Sequence, residues 1–131
     1  MKEMMNIKKK NILVIDDEET ILLGLSHILK KAGHDVVTAA SGNEGSRLLG
    51  NTDFDLVITD LIMEGINGMG ILEQARKKTS RRPEVIILSG YSLTPAVSEA
   101  LLKWGGDFLI KPCQRAELLL KVEQCLKRRE G

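Results

Sequence analysis

Four short apolar runs punctuate the chain, and each stops on polar residues. Asn11-Ile12-Leu13-Val14-Ile15 ends on Asp16-Asp17, and Leu56-Val57-Ile58 leads to Asp60. Glu84-Val85-Ile86-Ile87-Leu88 ends on Ser89-Gly90, and Gly106-Asp107-Phe108-Leu109-Ile110 on Lys111-Pro112. Runs this short, rich in β-branched residues and apolar on both faces, read as buried parallel strands rather than helices. In open parallel sheets, ligands sit in the crevice beyond the carboxyl ends of the strands. Three carboxylates, a hydroxyl and an ammonium are therefore expected to converge at one edge.

Helical patterns separate the runs. Ile21, Leu22, Leu25, Ile28, Leu29 and Ala32 repeat at the spacing of one buried helix face, within a helix from about Glu18 to Lys31, and Gly33 is a natural stop. Residues 36–40 read as a further strand, at an edge of the sheet. Ser41 with Glu44 three residues on makes a capping box for a short helix to about Gly50. A third helix runs from about Gly68 to Lys77. Thr94 caps a fourth that starts at Pro95, its apolar face Val97, Ala100, Leu101 and Trp104. The last, from about Gln114 to Arg128, buries Leu118, Leu119, Val122, Cys125 and Leu126. Five strands alternating with five helices predict an α/β fold, a parallel sheet wound on both faces by right-handed crossovers. The flavodoxin-like strand order 2-1-3-4-5 makes the first and third strands neighbours and so gathers Asp16, Asp17 and Asp60.

Length and composition narrow the function. The 131 residues suit one domain, over about 11–129, behind a polar, Lys-rich segment 1–10 expected to fray. Nineteen Lys and Arg against 18 acids give no electrostatic case for direct nucleic-acid binding. No apolar run approaches the roughly 18 residues of a membrane span. Cys113 and Cys125 lack metal-ligand spacing and read as free thiols of a reducing cytoplasm, which makes the expected location cytoplasmic. His27 and His34 have no metal-spaced partner and read as surface or structural residues. Trp104 reads as packing at a helix end, and Lys127-Arg128-Arg129 as a solvated helix end that complements the dipole.

The converging groups define a chemistry. Carboxylates packed together resist ionising without a compensating cation. Oxygen-only ligands suit Mg²⁺, which takes one or two carboxylates and keeps waters. A carboxylate beside that ion can attack phosphorus. Lys111 offers a point charge and Ser89 a hydrogen bond for phosphoryl oxygens. Phosphoryl transfer needs mostly this positioning and charge neutralisation.

Over nearly its whole length the sequence resembles the receiver domains of two-component response regulators (CheY-like). The resemblance is carried by Asp16-Asp17-Glu18, Asp60, Ser89-Gly90 and Lys111-Pro112 in order at the strand ends. It implies that Asp60 accepts a phosphoryl group from a sensor histidine kinase or phosphotransfer protein. It implies that Asp16, Asp17, Asp60 and the backbone carbonyl of Ile62 hold Mg²⁺, that Ser89 and Lys111 contact the phosphoryl oxygens, and that the Lys111–Pro112 bond is cis. Ser89 and Phe108 correspond to the family's switch pair. Through it, phosphorylation remodels the face of the fourth helix, fifth strand and fifth helix for an effector protein, a fused output domain or a second copy. Such a domain is a signalling module, catalysing only its own phosphoryl transfer and dephosphorylation.

One departure stands out. The family's loop after the acceptor usually reads Met-Pro, whereas here it is Met63-Glu64-Gly65. Losing Pro is expected to free the backbone and leave Glu64 in solvent, or else to alter Mg²⁺ affinity or phosphoryl lifetime. Ile62 and Tyr91 occupy the variable positions that flank the attacking water in relatives. Two rival chemistries fit less well. A phosphohydrolase of the haloacid-dehalogenase type needs a second carboxylate two residues after the nucleophile, where Ile62 stands. A flavin or nucleotide binder wants a phosphate-cradling loop where Asp16-Asp17-Glu18-Glu19 would repel it. A receiver-like interaction module without phosphorylation would not need the full acidic set. The chain is expected to be either a stand-alone receiver or one cut from a longer regulator or hybrid kinase.

Overall fold

A computed structural model describes residues 9–79, 81–90 and 93–130. Tyr91 and most of the N-terminal segment lie outside the described residues. The strands are β1 (Asn11–Ile15), β2 (Asp35–Ala39), β3 (Leu56–Asp60), β4 (Glu84–Ser89) and β5 (Asp107–Ile110). The helices are α1 (Glu19–Lys31), α2 (Gly42–Asn51), α3 (Gly68–Lys77), α4 (Pro95–Trp104) and α5 (Arg115–Glu130). All four strand pairs are parallel, in the order β2-β1-β3-β4-β5, as the sequence predicts.

Alternation along each central strand feeds two cores. Ile12, Val14, Leu56, Ile58, Ile86 and Leu88 face α1 and α5, meeting Leu25, Leu29, Leu118 and Val122. Leu13, Ile15, Val57, Val85 and Ile87 face the other way, toward Leu49 of α2 and Ile71, Leu72 and Ala75 of α3. Both faces of β3 are closed, all five residues being buried. This is why the strand reads as a continuous apolar run rather than an alternating one. β2, at the edge, keeps only Ala39 buried. Trp104 packs half-buried against the second core, with the ammonium groups of Lys103 and Lys77 5.0 and 5.8 Å from its ring centroid. Among the described residues, no helix is long and apolar enough to cross a membrane.

Local signals set the helix starts. Ser41 Oγ accepts from Glu44 N–H at 3.1 Å, and the Glu44 carboxylate reaches back to Ala40 N–H at 2.9 Å, one residue before the position a capping box would use. This stabilises a ten-residue helix with little apolar content of its own. Thr94 caps α4 through Val97 N–H at 3.2 Å, with Pro95 in the first turn. The basic run at the end of α5 differs from the sequence-based expectation. Arg128 and Arg129 are not simply solvated; they turn onto Glu84, Asp107 and Asp55 at the amino ends of three strands. Helix periodicity gives no hint of such partners, because they lie on other elements.

Candidate functional site

The carboxyl edge of the sheet collects the polar terminators. β1 ends one residue before Asp16, whose N–H bonds the Ala39 carbonyl at 3.1 Å and so extends the ladder to β2. Asp16 is buried, Asp17 is exposed, and Asp60 at the last position of β3 is buried. Carboxylate oxygens of Asp16, Asp17 and Asp60 all lie within 4.8 Å of one another. An oxygen-only donor set this tight fits a hard divalent cation.

Lys111 sits against this cluster. Its Nζ donates to Asp16 Oδ2 at 2.9 Å and lies 3.2 Å from Asp60 Oδ1. It comes from the turn after β5, where its backbone N–H bonds the Ser89 carbonyl at 2.6 Å and the Lys111–Pro112 peptide is cis. Ser89, the last residue of β4, is buried. Phe108, in the middle of β5, is half-buried and packs against the α3-side core.

Among the described residues, Lys111 is one cation against three acids. Burial and then the neighbouring Asp16 push the Asp60 pKa above the usual aspartate value, although Lys111 and the Leu61 N–H at 2.9 Å pull it down. For Lys111, burial acts downward, but the carboxylates of Asp16 and Asp60 outweigh it and hold its pKa above the ordinary lysine value. Asp16 also has structural work: its Oδ1 accepts from Glu18 N–H at 2.9 Å and shapes the start of α1. Its Oδ2 faces Lys111 and the cluster. The site is a buried carboxylate, Asp60, beside two more carboxylates, with one ammonium at its rim among the described residues. Such a set neutralises and orients an incoming phosphoryl group once a cation joins it.

A profile of the response regulator receiver domain matches residues 12–123, from the start of β1 into α5. The chain belongs to the response-regulator receiver family. As a receiver it is homologous to the phosphoacceptor domains of two-component systems. It is 34% identical over 123 residues to the transcriptional regulatory protein GlrR of Escherichia coli (strain K12), covering 94% of this chain and 28% of that one. It is 36% identical over 117 residues to the uncharacterized transcriptional regulatory protein YrkP of Bacillus subtilis (strain 168), covering 89% and 49%. The receiver thus spans half or less of these curated relatives. Among solved structures it matches a CheY-like receiver domain protein from Methanospirillum hungatei JF-1 with a TM-score of 0.86, at 31% identity, covering 94% of this chain and 98% of the other. It matches the Vibrio cholerae chemotaxis protein CheY4 at 0.82 and 26% identity, covering 91% and 100%.

Every strand-end residue singled out from the sequence lies on this edge of the receiver. Ile62 lies on the loop that follows Asp60 and is 60% exposed. Glu64 is exposed as well, in keeping with a side chain in solvent. What sequence reasoning missed is the partner of that loop. The start of α2 contacts it through Gly42 and Asn43, residues whose spacing to Asp60 carries no signal.

Proposed function

We propose that Asp60 takes up a phosphoryl group from a phosphohistidine on a sensor kinase or phosphotransfer protein. A carboxylate oxygen of Asp60 attacks phosphorus while the phosphorus–nitrogen bond breaks and the imidazole leaves. The observation that carries this reading is the Asp16–Asp17–Asp60 cluster with Lys111 against it. Asp16, Asp17, Asp60 and the Ile62 carbonyl would hold Mg²⁺, which supplies charge neutralisation at the phosphoryl oxygens when bound. Lys111 stands within reach of Asp60 and would exchange one of its carboxylate contacts for a phosphoryl oxygen. Ser89, buried at the end of β4, would donate to another.

The consequence is a shift between two arrangements of the α4–β5–α5 face, with Ser89 and Phe108 as the coupled pair. The phosphorylated face would serve an effector protein, a fused output domain or a second copy. GlrR and YrkP are named as transcriptional regulatory proteins, which favours an output on gene expression through a partner or a fused domain, with no direct nucleic-acid contact by the receiver. Free thiols at Cys113 and Cys125 suit a cytoplasmic setting.

The test is intact mass after incubation with Mg²⁺ and acetyl phosphate, for wild type and Asp60→Asn. The expected result is one added phosphoryl group in wild type only, lost when EDTA removes the metal. No gain, even with beryllofluoride assayed as a mimic, would make the chain an interaction module without phosphorylation.

A further inference from the structure

Between Asp60 and α3 the chain crosses Leu61–Asn67 without the proline that would restrict the residue before it. The ends of this loop are fixed by their neighbours. Leu61 N–H reaches the Leu88 carbonyl at 3.2 Å, and the Leu61 carbonyl accepts from Gly68 N–H at 2.9 Å. Asn67 caps α3 through Gly70 N–H at 3.0 Å. Its middle is held by the first turn of α2. Gly42 N–H donates to the Glu64 carbonyl at 3.4 Å, and the Asn43 side-chain oxygen accepts from Ile66 N–H at 3.2 Å.

The two segments interlock closely. A Cβ at position 42 would overlap the Ile66 carbonyl oxygen, so the helix can approach only as glycine. Gly65 adopts φ +83, the left-handed region, and a Cβ there would stand 2.7 Å from Asn43 Oδ1. Ile62 is the exposed link between the fixed Leu61 and the buried Met63.

We propose that Asn43 is a positioning residue for the metal end of the site. By pinning Ile66 it sets the backbone course of the loop, and with it the Ile62 carbonyl; α2 does the work that proline does elsewhere. This deepens the reading above and rests on its assignment of the Ile62 carbonyl as a ligand. Mg²⁺ demands near-ideal octahedral geometry, so a ligand held in place only part of the time weakens binding by that fraction. One neutral hydrogen bond of this kind corresponds to about a three- to tenfold change in such an equilibrium.

The experiment compares wild type, Asn43→Ala and Asn43→Asp, by Mg²⁺ titration and by amide exchange of Ile66 in the metal-free protein. Asn43 is exposed and Ser41 still caps α2, so the variants are expected to fold. In Asn43→Ala, Ile66 exchange should speed up and the apparent Kd for Mg²⁺ rise about three- to tenfold, while phosphorylation at saturating Mg²⁺ returns to within about twofold of wild type. Asn43→Asp keeps the acceptor and should restore both readouts. Faster Ile66 exchange with unchanged Mg²⁺ affinity would overturn the proposal, as would failure of Asn43→Asp to restore either. A wild-type protein that binds no Mg²⁺ would instead sink the metal assignment itself, and the proposal with it.

Discussion

The two edges of the sheet carry similar acids and use them in opposite ways. At the carboxyl edge, Asp16 and Asp60 share one cation among the described residues, Lys111, and Asp17 clusters with them. At the amino edge, guanidinium groups meet the acids at least one for one. Asp55, just before β3, accepts from Asn11 N–H at 2.8 Å, from Arg129 at 2.8 Å and from Arg81 at 3.2 Å. Arg128 bridges Glu84 and Asp107, while Cys125 donates to Asp107 at 3.2 Å. Ligand atoms of Glu84, Asp107 and Cys125 also cluster within 4.8 Å, as tightly as those of the aspartates. Proximity alone therefore does not mark a site. Unbalanced charge does.

Acidity divides along the same line. Burial and Asp16 raise the Asp60 pKa, so its charged form is disfavoured in the fold. For Asp107, burial also acts upward, but the bonds from Arg128 and Cys125 outweigh it and its pKa is lowered. The Cys125 thiol is pushed up to about 12, by burial first and by Asp107 second. Arg128 is raised by its bonds to Asp107 and Glu84. One edge holds charge at a cost, and the other gains from it.

Removing an acid should therefore have opposite consequences at the two edges, and the largest effect is expected at Asp55. Asp55→Ala leaves Arg129, 17% exposed, and the Asn11 N–H without their acceptor, and should cost about 3 kcal/mol in urea unfolding. Mg²⁺ should not recover it. Asp60→Asn should instead leave the metal-free receiver more stable, by on the order of 1 kcal/mol, because it removes a disfavoured charge and keeps an oxygen for the Leu61 N–H. Equal destabilisation by the two substitutions would erase the distinction.

The pH dependence sharpens it. A group with a lowered folded pKa stabilises above its unfolded value and loses that contribution as pH falls through the folded value. Asp107 thus supplies stability that begins to fade as pH drops below its ordinary 3.8. Asp60 works the other way. Its raised folded pKa makes its contribution greatest at low pH and lost as pH climbs from 3.8 through the folded value. Acid unfolding monitored by circular dichroism should show a flatter low-pH limb in Asp107→Asn than in wild type. Asp60→Asn should lack the loss of stability that wild type shows as pH rises through that window.

Much of the carboxyl edge was legible in the sequence, because apolar runs announce strands and the residues that terminate parallel strands must all lie at the same end. Asp16, Asp60, Ser89 and Lys111 needed nothing more than that rule. The amino edge was not legible. Asp55 finds Arg129 across 74 positions and Glu84 finds Arg128 across 44, with no periodicity to join them. Arg128 and Arg129 at the end of an amphipathic helix look like solvated charge until α5 is laid across the strand starts. The Asn43–Ile66 bond escaped for the same reason: an exposed Asn in a polar first turn carries no pattern that names a distant loop.

The smallest effect separates two contributions that meet at Arg81. Its side chain is 59% exposed, and its ion pair with Asp55 adds to one already made by the better buried Arg129. Deleting it as Arg81→Ala should cost no more than about 0.5 kcal/mol, the range of exposed pairs. Its backbone, however, sits at φ 47, where any residue with a Cβ is disfavoured. Arg81→Gly loses the same ion pair but relieves that conformation, and should end about 1 kcal/mol above Arg81→Ala. Thermal unfolding of the two variants gives the difference directly. If glycine gains nothing over alanine, the turn before β4 is not strained. The cost of Arg81→Ala against wild type tests the pair itself: a loss well over the small figure expected for an isolated surface pair would show that the amino edge depends on a network rather than on Arg129 alone.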